Sequence, residues 1–128
     1  MTMPAMPAAV TRFFTASQSG DAASWAGAFA LDGVFHDPIG EPPITGRAAI
    51  AEFIASVLPN FDPFLGLTPR EAHTVGDSVA VSWTGAAVSR AGAPVNWSGI
   101  NVYELGEDGL IREARAYFNR DVFQAQLG

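Results

Sequence analysis

Cysteine and lysine are both absent from this 128-residue chain. Without cysteine there is no disulfide framework, no thiolate nucleophile and no zinc site built on sulfur. Without lysine there is no side-chain amine to form a Schiff base with a carbonyl compound. Basic charge is scarce altogether. Seven arginines stand against 13 acidic residues, for a net charge of -6, so the surface repels phosphate backbones and nucleic acid is not an expected partner. The two histidines, His36 and His73, show none of the spacings of a metal site, and neither a metal nor a cofactor is expected. No apolar run approaches the ~18 residues that cross a bilayer, and the chain does not open on a basic segment followed by an apolar one. A cytoplasmic protein that does not meet a membrane is the expectation. No Gly-rich phosphate loop, Ser-His-Asp order or nucleophile elbow appears either.

What the chain does have is apolar mass. Hydrophobic residues make up 48% of it, far more than a disordered chain carries. With no repeat, low-complexity tract or linker, residues 1–128 read as one domain, long enough to bury about two-thirds of its unfolded surface.

The first half reads helical. Val10, Phe13, Phe14 and Ser17 follow the i, i+3, i+4, i+7 spacing of a one-sided helix that Gly20 stops. Asp21 is a good N-cap for a second short helix carrying Trp25 and Phe29. "GVFHDP" reads as a short strand ending at Pro38. Thr45 then caps a third helix marked by Ile50, Phe53, Ile54 and Val57, which Pro59 ends.

From about Leu67 the period changes, and four strands are expected over 67–75, 78–90, 94–105 and 110–120, joined by the turn-like "RAGAP" and "GEDG". Helices followed by an antiparallel meander imply an α+β fold with the helices on one face of a curved sheet. Alternation puts Trp97, Gly99, Asn101 and Tyr103 on one face, and Ala114, Ala116 and Phe118 on a shared one. Small residues facing Phe-rich helices either leave an apolar pocket or let a helix approach closely. The pattern fits both.

The densest run of stiff backbone is "HDPIGEPPITGR", residues 36–47. Asp, Pro and Gly make ordinary turns. Yet the residue before a proline is confined to extended conformations, and Pro42 and Pro43 stiffen the remainder of the loop, so Asp37 is also placed as a base whose position must not wander.

The longer segment "FALDGVFHDPIGEPPITGRAAIAEFI", with "INVYELGEDGLIREARAYF" near the end, resembles the Δ5-3-ketosteroid isomerases. These belong to the nuclear transport factor 2-like superfamily, which also holds the SnoaL-like polyketide cyclases. The resemblance is strongest over residues 20–54. It implies a cone-shaped barrel of three N-terminal helices on a curved, mainly antiparallel sheet, a deep apolar cavity and a homodimer. It places the family's general base on Asp37, which would take a proton from a carbon next to a ketone, the chemistry of a mildly raised carboxylate paired with an oxyanion hole. The oxyanion acid falls on Asn101, whose amide donates at any pH. The oxyanion tyrosine falls on Phe13 or Phe14, which cannot donate. Phe29 and Ile54 stand where the family often has hydroxyls.

The function implied is a cofactor-free, ketosteroid isomerase-like enzyme that moves a proton alpha to a carbonyl of an apolar small molecule. Asp37 and Asn101 are its catalytic residues. Phe13, Phe29, Phe53, Ile54, Trp97, Gly99, Ala116 and Phe118 enclose the substrate. A polyketide-cyclase-like enzyme and a non-catalytic binding module are the alternatives. The acid-Arg-acid set of limonene epoxide hydrolases is not matched, since the corresponding strand positions are Gly99 and Asn101. His36 points away from Asp37 by strand alternation, and His73 is a weaker candidate for a proton-abstracting dyad. Arg112 and Arg115 are expected as exposed charges on opposite faces of one strand. Ile100, Val102 and Tyr117 mark an apolar outer sheet face suited to the dimer.

Overall fold

A computed structural model describes residues 3–127. The elements run α1 (Ala8–Ser19), α2 (Ala22–Ala26), β1 (Phe29–His36), β2 (Ile44–Thr45), α3 (Arg47–Val57), a 3-10 turn (Leu58–Asn60), β3 (Phe61–Val75), β4 (Ser78–Ser89), β5 (Pro94–Leu105), β6 (Ile111–Tyr117) and α4 (Arg120–Ala125). The architecture is α+β, a six-stranded curved sheet in the order β2-β1-β6-β5-β4-β3 with helices on its concave side. All pairings are antiparallel except β1 with β6.

The local expectations hold where the pattern is dense. In α1 the stripe Val10, Phe13, Phe14 and Ser17 is buried, and Gly20 closes the helix in a left-handed conformation. Asp21 caps α2 by accepting from the Ser24 amide at 3.0 Å. β4 alternates buried and half-buried residues along its whole length, and β4 and β5 pair without interruption from Ser78↔Glu104 to Val88↔Pro94.

Four boundaries differ. Phe29 is not on α2. It opens β1 beside Ile111, so β1 begins four residues ahead of the expected Gly33 and ends at His36, before the cis Asp37–Pro38 bond. Thr45 does not cap α3, because Ile44 and Thr45 pair with Phe35 and Val34 and leave Gly46 to precede the helix. α3 does end just ahead of Pro59, at Val57, and Pro59 sits inside the 3-10 turn beyond it. β3 starts at Phe61 rather than Leu67, passing through Pro63 and several bulges. It is an edge strand, where missing ladder donors are tolerated. Within it Gly66 takes φ +98°, and a Cβ there would lie 2.6 Å from the Gln18 backbone, so glycine lets β3 press against α1. Finally, β6 stops at Tyr117, and a fourth helix comes after it. Asn119 caps it, accepting from the Asp121 and Val122 amides.

Candidate active site

The concave face and the helices enclose a cavity of about 870 Å³, within the range of small-molecule sites. Phe13 and Phe35 form its inner wall, Phe53 and Ile54 of α3 one side, and Trp83, Asn101 and Ala116 the sheet side. Trp97, Phe118 and Phe123 surround the outer part. Phe123 stacks edge-on to Trp97 at 4.8 Å, so the unexpected α4 supplies part of the wall.

Asp37 also lines this cavity. Two strand contacts hold its backbone in place. His36 is registered against Arg115 of β6, and beyond the cis bond the Ile39 amide donates to the Ala116 carbonyl at 2.9 Å. The carboxyl has no hydrogen bond or ion pair among the described residues. Burial alone therefore acts on it, pushing its pKa from the usual 3.8 to about 7. A carboxyl so poised exchanges protons readily near neutrality, in either direction.

Asn101, 1% exposed, reaches the same cavity from β5. Its Oδ1 accepts from the Trp83 indole at 2.8 Å, and its Nδ2 donates to the Tyr103 hydroxyl at 2.9 Å. An indole only donates, so this bond fixes which end of the amide is oxygen. Burial raises the Tyr103 pKa well above its ordinary value. The Asn101 hydrogen bond opposes that shift and the Asp37 charge adds to it, so the phenol keeps its proton. Tyr103 packs edge-on to Phe13 with ring centres 5.2 Å apart.

The structure thus brings Asp37, Asn101, Phe13, Phe53, Ile54, Trp97, Ala116 and Phe118 to one cavity. Phe29 and Gly99 do not line it. Phe29 lies in the core against Phe35, displaced by the early start of β1. Gly99 lies beneath Trp83, where a Cβ would come within 2.6 Å of the indole. Phe14 is buried outside the cavity wall, so Phe13 is the α1 ring that faces it. His36 points away and meets Glu113 at 3.0 Å. His73 is exposed and paired with Glu71 at 2.6 Å. Arg112 is exposed, but Arg115 is half-buried in ion pairs with Glu104 and Glu113, because both carboxylates share its face of the sheet.

Sequence reading gave no role to Trp83 or to the Tyr103 hydroxyl. The signal was present. Val79, Val81 and Trp83 alternate inward on β4, and Tyr103 shares the face of Asn101, but only strand register shows which polar atoms meet.

Comparison with known proteins bears on the fold and the family. The chain is 41% identical over 91 residues to the epoxide hydrolase LasB of Streptomyces lasalocidi, covering 68% of this chain and 32% of LasB. It therefore spans about a third of that relative's length. Among solved structures, a Catenulispora acidiphila protein of ketosteroid isomerase-like fold, in complex with trimethylamine, superposes with a TM-score of 0.86 at 20% identity. That match covers 97% of this chain and 95% of that one. The epoxide hydrolase/cyclase-like enzyme SalBIII, which has a role in pyran ring formation in the polyether salinomycin, superposes with a TM-score of 0.77 at 22% identity, over 88% and 89% of the two chains. The family model of the SnoaL-like domain matches residues 10–114. The chain belongs to the SnoaL-like domain family.

Proposed function

We propose that this domain is a cofactor-free enzyme in which Asp37 moves a proton on an apolar, oxygen-bearing small molecule, in a reaction of isomerase or cyclase type. One observation carries the reading. A carboxyl without a partner, its pKa raised to about 7 by burial, shares an apolar cavity with an amide whose orientation is fixed. As a carboxylate, Asp37 removes a proton from a carbon next to a carbonyl. Asn101 Nδ2 is the donor for the resulting enolate, held there by Trp83 and Tyr103. The enolate is then reprotonated at another carbon, which is isomerisation, or closes on an electrophile of the same molecule, which is cyclisation.

The likeness to LasB favours a second reading of the same site. Protonated Asp37 gives its proton to an epoxide oxygen while a hydroxyl of the same substrate attacks the epoxide carbon. The carboxylate so formed takes the hydroxyl proton. The C–O bond of the epoxide breaks, a ring C–O bond forms, and Asp37 ends as it began, so one carboxyl suffices. The other carboxyl lining the cavity among the described residues is Glu41, which faces Arg120 at 3.9 Å.

The outer sheet face exposes Ile100 and Tyr117, side by side in the register of β5 and β6, and supports a homodimer through that face.

The deciding experiment incubates the protein in D₂O with 5-androstene-3,17-dione, with enolisable polyketide mimics and with hydroxy-epoxides. Deuterium entering next to a carbonyl supports the enolate reading, and ring closure without exchange supports the epoxide reading. If Asp37→Asn retains full activity in both assays, neither reading stands.

A further inference from the structure

Trp25 lies on α2, 6% exposed, and its ring lines the cavity. Among the buried side-chain nitrogen and oxygen atoms of the described residues, its Nε1 alone has no hydrogen-bond partner. Ser17 and Asn101, equally buried, are both satisfied. Leaving a donor unpaired in the interior is costly, and such a group calls for a reason. Core packing alone does not supply one, since phenylalanine would fill much of the same space without the cost. The ring packs between aromatic neighbours. Phe13 meets it edge-on at 5.4 Å, Phe64 lies tilted against it at 6.1 Å, and Asp21 caps its helix.

Asp37, a half-buried residue, also lines the cavity with an unpartnered carboxyl, and aromatic contacts connect the two. Trp25 touches Phe13, Phe13 touches Phe35 at 5.8 Å, and Phe35, near the end of β1, precedes Asp37 by two residues. Among the described residues the wall thus offers a proton-exchanging carboxyl at one point and a neutral donor at another, separated by apolar rings.

Building on the proton-transfer reading above, we infer that the Trp25 indole N–H is a ligand-binding donor, and that the substrate carries a second, acceptor oxygen (ether, carbonyl or hydroxyl) remote from the one processed at Asp37. The substrate class is an apolar, multiply oxygenated carbon skeleton. Nε1 is shut from water in the empty cavity, so a small rotation of the indole accompanies the approach of that oxygen. The second oxygen sets affinity and orientation and takes no part in the proton transfer.

The test compares two probes differing by one oxygen, 5-androstene-3,17-dione and 5-androsten-3-one, bound to the wild type and to Trp25→Phe. The three tryptophan indole resonances are followed by ¹⁵N–¹H NMR, assigned from Trp25→Phe or, if that variant does not fold, from Trp83→Phe and Trp97→Phe. The expected result is a downfield shift of the Trp25 resonance with the dione only. Trp25→Phe is expected to weaken the dione by about three- to tenfold, the worth of one hydrogen bond, and to leave the monoketone unchanged. If the dione moves the Trp83 and Trp97 signals but not that of Trp25, the inference fails and the cavity reading stands. An equal loss for both probes on Trp25→Phe means that the ring only fills space, which also overturns it. If neither probe moves any indole, the inference and the ketone reading fall together.

Discussion

Trp83 and Asn101 meet diagonally across β4 and β5, with the indole donating to the amide oxygen at 2.8 Å. That bond keeps the amide nitrogen turned toward Tyr103. Trp83→Phe retains a ring but frees the amide to flip, and kcat for the carbonyl reaction is expected to fall about tenfold with little change in KM. Asn101→Leu removes the donor itself, with an expected loss of about 10²–10³. Steady-state kinetics check both, and equal rates for Asn101→Leu and the wild type would remove Asn101 from the chemistry.

Asp37→Asn keeps the shape of the side chain and loses its proton exchange. Turnover is expected to drop by about 10²–10⁴. Affinity for a neutral apolar ligand should hardly change, since rings provide most of the contact. Paired kinetic and calorimetric titrations separate the two effects.

On the proposed role of Asp37, the pH dependence of rate follows its raised carboxyl. Proton abstraction needs the carboxylate, so its rate should climb with pH and level off above about 7. Epoxide opening needs the protonated form, and its rate should decline over that range. The direction of the profile tells the two chemistries apart.

Stability carries a matching signature. Between pH ~4 and ~7 the folded chain holds a proton on Asp37 that the unfolded chain has released, so stability falls as pH rises through that window and is level above it. Asp37→Asn has no charge to bury. It should therefore be more stable than the wild type at pH 8, by up to about 4 kcal/mol, and similar to it near pH 4. Urea unfolding at the two pH values measures this, and identical pH profiles would show that the carboxyl is not desolvated.

Phe13→Tyr introduces a phenol on the α1 ring that faces the cavity. If a missing donor limits the carbonyl reaction, kcat should increase by about tenfold or more. The added oxygen enters a site already ringed by Phe14, Trp25, Phe35 and Tyr103, so a destabilisation of about 1–3 kcal/mol is expected alongside. A thermal melt and a kinetic assay on one preparation report both.

For the outer sheet face, light scattering should give about twice the 13.5 kDa chain mass at micromolar concentration. Ile100→Arg should return it to the monomer. A wild-type monomer throughout would leave Ile100 and Tyr117 as exposed side chains only.

The parts of this protein legible in its sequence are those governed by short-range periodicity. The apolar stripe of α1, the Asp21 cap, the alternation of β4 and β5 and the stiff loop around Asp37 each depend on residues within a few positions of one another. They are enough to order helices before a meander, to set the apolar stripes with Phe13 and Phe53, and to give Asn101, Trp97 and Phe118 their strand faces, while the meeting of Asp37 with them was implied by the family resemblance. Tertiary structure decided the rest, because the deciding partners are distant in the chain. β6 drew Phe29 into a strand, and β1 drew Ile44 and Thr45 out of the helix start. Packing against Trp97 and Phe61 gave α4 a place on the cavity wall. The link from Trp83 through Asn101 to Tyr103 exists only once two strands are in register. The acid itself could be read from the chain, but its raised pKa could not, since desolvation is set by what surrounds a carboxyl in space rather than by its neighbours in sequence.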